Sequence, residues 1–252
     1  MKKSDQKKIF VAVFVAELIL IAVIIVSTIL PFLFNVVGLS DQKVIKKFNQ
    51  IYYNSRVWNN TKWLGVASEQ NPCDNWAVQE IISDIKPDFL IETGTAEGGS
   101  SLFYATILDY VSKNGKVITV DIENKIKKQT AELPVFKKRV KFILGDSVSS
   151  EVINAIQKKV KNHKVLVTLD SLHTKDHVLK ELKLYSNFVS LGSYIVVQDT
   201  NINGHPVAPE FGPGPMEAIE EFLKTDDRFI VDHSREEFLL TFYPSGYLKR
   251  VK

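Results

Sequence analysis

The chain has 252 residues, 45% of them hydrophobic and 24% charged, which supports one ordinary α/β domain with an appendage. Its formal net charge is only +3, and the basic residues are scattered rather than gathered into a stripe with interleaved aromatics, so nucleic acid is excluded as the expected partner. The single cysteine, Cys73, excludes an intrachain disulfide and a cysteine-based zinc cluster.

Residues 1–8 are a basic flank with Lys2, Lys3, Lys7 and Lys8. Residues 9–37 are almost wholly apolar, interrupted by Glu17, Ser27, Thr28, Pro31 and Asn35. A helix needs roughly 20 such residues to cross a bilayer, so a single transmembrane anchor is expected here. No small-residue cleavage site follows it, which sets it apart from a signal peptide. A buried core helix is the competing reading, but such helices are rarely apolar on every face. Glu17 is costly in lipid, and Pro31 can kink the helix or mark its exit. Lysines flank both ends, so the positive-inside rule gives no orientation.

Residues 38–85 read as a helical lead-in. Val44, Ile45, Phe48, Ile51 and Tyr52 form one stripe over 41–53. A loop-rich stretch, 56–76, holds Trp58, Trp63, Pro72 and Trp76, aromatics expected to pack rather than bind. A helix over 77–85 stops before Pro87. From residue 86 to 252, strands and helices alternate. Strands are expected at 89–92, 116–120, 140–145, 164–169 and 194–198. Helices are expected at 100–112, 124–133, 149–161, 174–185 and 215–225. Two last strands, 229–232 and 238–243, are placed for an antiparallel hairpin. Alternation of this kind builds a doubly wound, mostly parallel α/β sheet.

The most informative stretch is 91–100, where Ile91 and Glu92 end a strand, Gly94, Thr95 and Gly98 turn the chain, and Ser100 opens a helix. Glycines let backbone approach a ligand, and the helix N-terminus offers free N–H groups. Glu92 would repel a pyrophosphate but suits a cationic or hydroxyl-bearing cofactor. Ligands of such sheets bind beyond the carboxyl ends of the strands, where Glu92, Asp121, Asp146, Asp170 and Asp199 all fall. Asp121, one strand beyond the turn, is placed to accept the hydroxyls of a ribose, with a helix cap as the alternative. Asp146, beside Ser147, can meet an adenine amino group or simply serve a turn. Asp170 and Asp199 can hold Mg²⁺ or be ordinary loop carboxylates. His173 can act as a general base, whereas His177 reads as a packing or capping residue. The proline-rich loop 201–215 suits a substrate wall or lid.

Taken in order, these residues resemble the cephalosporin hydroxylase family, related to rhamnosyl O-methyltransferases among the class I S-adenosylmethionine-dependent methyltransferases. The matching pieces include Trp63-Leu64-Gly65, Ile91-Glu92-Thr93-Gly94, Gly98-Gly99-Ser100 and Gly145-Asp146-Ser147. They continue through Leu169-Asp170-Ser171, His173, Asp199-Thr200 and Gly246-Tyr247-Leu248-Lys249-Arg250. The resemblance implies a seven-stranded Rossmann-like sheet with Glu92, Gly94, Asp121 and Asp146 around S-adenosylmethionine. It implies Mg²⁺ at Asp170 and Asp199, beside an acceptor hydroxyl. Gln198 and Leu172 stand where the family often carries acids, which weakens the expected metal corner; Asn201 is a replacement oxygen ligand.

The expected activity is O-methylation of a sugar, glycolipid or related metabolite by a membrane-anchored enzyme. Because S-adenosylmethionine is chiefly cytosolic, the catalytic domain is expected in the cytosol. A homo-oligomer is compatible with the sequence. The alternatives are a hydroxylase, as the family name suggests, and a non-catalytic membrane scaffold.

Overall fold

The computed structural model describes residues 3–29 and 40–252. The chain divides into two compact units, Met1–Lys47 and Phe48–Lys252.

In the first unit, helix α1 (Lys3–Ile24) leads into a π-helical stretch, Ile25–Ile29. The expected anchor over 9–37 is not found: among the described residues, no helix is long and apolar enough to cross a membrane. The first turns of α1 go to Lys3, Asp5, Lys7 and Lys8, its middle carries Glu17, and regular α-geometry ends at Ile24. What is left falls short of the roughly 20 apolar residues that hydrocarbon demands. Where the winding changes, the hydroxyls of Ser27 and Thr28 each donate to the carbonyl four residues earlier at 2.6 Å, a competition that disturbs helices. Residues 30–37 of the expected span lie outside the described residues. The single-pass topology and the membrane partnership expected from the span lose their support with it.

Helix α2 (Asp41–Ser55) forms as expected, but Val44, Phe48 and Ile51 of its stripe are exposed and Asn49 is buried instead. A short hairpin, β1 (Lys62–Trp63) and β2 (Val66–Ala67), interrupts the lead-in. Helix α3 (Pro72–Ile85) begins earlier than residue 77, because Asn71 caps it by accepting from the Cys73 N–H and Pro72 takes the first helical position.

The sheet has seven strands: β3 (Phe89–Thr93), β4 (Lys116–Asp121), β5 (Val140–Leu144), β6 (Val165–Leu169), β7 (Tyr194–Val197), β8 (Phe229–Val231) and β9 (Tyr247–Arg250). Their order is β5-β4-β3-β6-β7-β9-β8. Strands β3 to β7 run parallel, and β9 lies antiparallel between β7 and β8. The winding reverses between β3 and β6, which opens a crevice at their carboxyl ends.

Two expectations need correction. The second closing strand is not 238–243 but β9, because Phe242 and Tyr243 plug the core and the ladder is left to the residues from Tyr247 onward. The helix expected at 124–133 is broken into α5 (Lys128–Ala131) and α6 (Pro134–Arg139), since Pro134 starts a new helix.

Alternation along the strands builds a core on each face of the sheet. Ile91, Ile118, Val167 and Ile195 meet α7 (Ser150–Val160), α8 (Lys175–Tyr185) and α9 (Pro215–Thr225). Leu90, Val117, Leu166 and Val196 meet α3 and α4 (Gly99–Val111) on the other face.

Candidate active site

A cavity of about 760 Å³ opens at the carboxyl ends of β3, β4, β6 and β7. One end is built by the glycine turn. Gly94 has φ +86°, and its N–H donates to the Val120 carbonyl at 2.8 Å. A Cβ there would lie 1.8 Å from the Asp170 carbonyl oxygen, so only glycine lets β3 and β6 close at the crevice. Asp121 holds the turn: its Oδ2 accepts from the N–H groups of Thr95 (2.9 Å) and Ala96 (3.1 Å), and its Oδ1 accepts from Glu123 N–H (3.1 Å). Asp121 also lines the cavity, with Gly94, Thr95, Ser100, Asp146 and Ser147.

Glu92 sits elsewhere. It is fully buried, accepts hydrogen bonds from Ser100, Ser101 and Thr119, and does not line the cavity. Side chains alternate along a strand, so Glu92 shares the face of Leu90, beneath the start of α4, rather than the rim. Burial pushes its carboxyl up to about 7, although the three hydroxyls pull it down. Gly98 caps α4 in the left-handed conformation and does not line the cavity either.

At the other end, Asp170, His173 and Asp199 converge, with one ligand atom from each lying within 4.8 Å of the others. His173 Nε2 is 3.0 Å from Asp199 Oδ2 and 3.9 Å from Asp170 Oδ1. Burial opposes a charge on His173, but Asp199 and Asp170 outweigh it and lift the imidazole to about 9. The ring is therefore an imidazolium at neutral pH. Burial, with Asp199 beside it, holds Asp170 well above the carboxylate range. Asp199 itself sits at φ +53°, a left-handed conformation that costs a non-glycine residue roughly 1 kcal/mol. The two carboxylates offer oxygen donors that fit a divalent cation, whereas His173 as an imidazolium has no lone pair to give it.

Asn201 is not part of this cluster. It is buried off the cavity, and neither amide atom has a hydrogen-bond partner among the described residues. Gln198 borders the cavity, but its amide is engaged in a buried chain. Its Oε1 lies 2.6 Å from the Tyr243 hydroxyl, its Nε2 is 3.3 Å from the Tyr104 hydroxyl, and Tyr243 also reaches Gln70 Oε1. Gln70 Nε2 then donates to Asp170 Oδ2 at 2.9 Å. A phenol has one hydrogen, so turning the Gln198 amide over satisfies every member of the chain.

Sequence reasoning missed Gln70 and Tyr243, which are 173 positions apart and meet only in the fold. It also missed the tie between the two ends. His177 Nε2 lies 3.2 Å from Ser147 Oγ and 3.1 Å from Ser171 Oγ, and Ser171 donates to buried Glu181 at 2.8 Å. The loop 201–215, expected as a wall or lid, does not line the cavity. Glu217 clamps it by accepting from Asn203 (2.7 Å), His205 (2.9 Å) and Gly214 N–H (2.7 Å). The loop buttresses the start of α8, where Lys175 N–H donates to Pro213 O at 3.0 Å.

Comparison with known proteins agrees with this fold. The family Rhamnosyl O-methyltransferase/CmcI matches residues 55–251. The rhamnosyl O-methyltransferase of Mycobacterium bovis is 37% identical over 215 residues, covering 82% of this chain and 85% of its own. That of Mycobacterium leprae is 36% identical over 212 residues, covering 82% and 90%. Among solved structures, CmcI with Mg and SAM superposes with a TM-score of 0.58 at 15% identity, over 77% of this chain and 78% of that one. The O-methyltransferase from Bacillus cereus with SAH gives 0.53 at 15% identity, over 88% and 96%. At those identities the two structures speak for the fold.

Proposed function

This chain belongs to the rhamnosyl O-methyltransferase/CmcI family and is an S-adenosylmethionine-dependent O-methyltransferase, and from that premise we propose that its acceptor is a hydroxyl of a rhamnose-type sugar. The single observation that carries the site assignment is the convergence of Asp170, His173 and Asp199 at one end of a cavity whose other end is the Asp121-anchored glycine turn.

In this reading Asp121 accepts from the ribose hydroxyls while it holds Thr95 and Ala96, and Asp146 and Ser147 border the adenine. The acidic lining suits a cationic sulfonium, because a positive charge gains from carboxylates that a neutral ligand would not use. Holding the acceptor oxygen in line with the methyl–sulfur bond does most of the work, since transfer is a single displacement. The carbon–sulfur bond breaks with its electron pair going to sulfur, the carbon–oxygen bond forms, and the hydroxyl proton leaves. His173, expected as the base, already holds a proton, and burial favours the protonated form of Asp170, so the hydroxyl proton passes to the Asp199 carboxylate, which His173 holds at 3.0 Å. Gln70 fixes the Asp170 carboxylate from behind. A divalent cation held by Asp170 and Asp199 would make the bound hydroxyl more acidic.

A hydroxylase is disfavoured by the donor set. One imidazole with two carboxylates is the reverse of the two-histidine, one-carboxylate set of non-haem iron oxygenases.

The test is methyl transfer from labelled S-adenosylmethionine to methyl α-L-rhamnopyranoside and to rhamnose-bearing glycolipids. A labelled methyl ether on rhamnose is expected. Labelling of a non-sugar acceptor, with every rhamnoside left untouched, would overturn the acceptor assignment.

A further inference from the structure

The acceptor end of the cavity has a wall of three aromatic rings. Tyr53 and Trp58 stack with centroids 5.5 Å apart and planes 27° from parallel. Phe242 meets Tyr53 edge-on at 5.4 Å and Trp58 edge-on at 5.6 Å. All three line the same cavity as Asp170, His173 and Asp199. The rings are held from outside it. Trp58 Nε1–H donates to the Tyr53 carbonyl at 2.9 Å. Phe242 N–H donates to buried Asp74 at 2.8 Å, and the same carboxylate accepts from Thr241, Tyr247 and Asn71. Trp58 therefore spends its one donor on backbone and has only ring surface to offer.

One polar group on this wall is free. The Tyr53 hydroxyl has no hydrogen-bond partner among the described residues. Burial, and after it the nearby Asp199, makes the phenol harder to ionise and keeps it a donor. Flat electron-rich rings beside a single free hydroxyl donor match a ligand with a patch of weakly positive C–H bonds next to oxygens. A pyranose has that surface, and a 6-deoxy sugar has more of it, since a methyl group replaces the exocyclic hydroxymethyl. The sulfonium of the cofactor is a competing occupant, because cations also seek aromatic faces.

We propose that Tyr53, Trp58 and Phe242 form the acceptor subsite, stacking on the apolar face of a deoxysugar ring while the Tyr53 hydroxyl donates to one of its oxygens. This rests on the sugar reading above. It adds which residues select the sugar and why a deoxy ring suits them.

The test titrates methyl α-L-rhamnopyranoside into the full-length protein saturated with S-adenosylhomocysteine, by calorimetry, alongside turnover assays. Trp58→Leu keeps apolar bulk and removes the flat face; it is expected to weaken sugar binding at least tenfold. Trp58→Phe is expected to recover most of that loss, and Tyr53→Phe to weaken binding severalfold. S-adenosylmethionine affinity is expected to stay within twofold in all three. Thermal melts separate a folding defect from a binding defect, and Tyr53→Phe keeps its ring. Sugar affinity unchanged in both Trp58→Leu and Tyr53→Phe overturns the proposal. So does a change confined to S-adenosylmethionine, which would give the rings to the sulfonium, and so does a wild type that binds no rhamnoside. A wild type that binds the sugar through Trp58 without methylating it would overturn the proposed acceptor and leave the subsite standing.

Discussion

The carbonyl oxygen of Asp170 occupies the space that a Cβ on Gly94 would need, with only 1.8 Å between them. The turn at the proposed cofactor end and the strand end that carries the acidic cluster are thus in backbone contact. Neither can shift without the other. Gly94→Ala adds a methyl group against backbone at a left-handed φ, so a loss of roughly 3 kcal/mol is expected. Thermal melts should fall, and cofactor affinity and turnover should fall together. A Gly94→Ala protein that keeps wild-type affinity for S-adenosylmethionine would show the contact to be slack.

Asp121 has two tasks in the proposed site, anchoring the turn and meeting the ribose. Asp121→Ala leaves the N–H groups of Thr95 and Ala96 without their acceptor. Affinity for S-adenosylmethionine is expected to drop about 100-fold, equivalent to roughly 2.8 kcal/mol. Calorimetry reads it directly, and an unchanged Kd would remove Asp121 from the cofactor site.

His173 lies between two carboxylates and carries the charge that keeps them together. His173→Ala removes that charge and should lower kcat by about 100-fold, the scale of losing one electrostatic stabiliser, while S-adenosylmethionine binding stays within about twofold. Single-turnover methyl transfer at saturating cofactor is the measurement. A defect seen only in cofactor Kd would assign His173 to structure.

Glu92 gives a pH signature. Its folded value is raised to about 7 from 4.5, first by burial. A raised value means the protonated form stabilises the fold: the contribution is complete below about pH 4.5 and is lost as pH rises through 7. Over that window the wild type should lose roughly 3 kcal/mol from this residue. Asp74, also raised to about 7 by burial, acts in the same direction. Glu92→Gln should therefore show a flatter decline in melting temperature between pH 5 and 8 than the wild type. Parallel declines would mean that Glu92 is not the group responsible.

Much of the domain was legible because local chemistry and fold agreed. Apolar strands that end in acids or glycine, followed by capped helices, specify the alternation and put Asp121, Asp146, Asp170 and Asp199 at strand ends. Glu92 was misplaced because an acidic residue near a strand end reads the same whether its side chain rises to the rim or drops under the next helix. One position of parity decides, and the strand end is known only to within a residue or two. The last strand was misread for a different reason. Phe242 and Tyr243 look like strand residues, yet burial against α2, α3 and Asp74 claims them, whereas Tyr247–Arg250 carries charges that read as a tail. The 9–37 run was read from its length and apolar composition with Glu17 weighed as a cost, whereas the change of winding after Ile24 shows only in the structure. Gln70, Tyr53, Trp58 and Phe242 have no signature in sequence, since their meaning comes from pairings across most of the chain.

The Asp74 carboxylate has one more consequence, for the order in which the protein is made. The glycine turn, Asp121, Asp146 and the Asp170 backbone that abuts the turn are close in sequence and can assemble once β3 to β6 have left the ribosome. The acceptor wall cannot. Tyr53 and Trp58 wait for Phe242, and Asp74 stays a buried acid without three of its donors until Thr241, Phe242 and Tyr247 arrive. Contacts of such long range form late. If the proposed assignments hold, a nascent chain owns a cofactor cradle well before it can recognise anything to methylate, and substitutions in the late segment retune the acceptor while leaving the cradle intact.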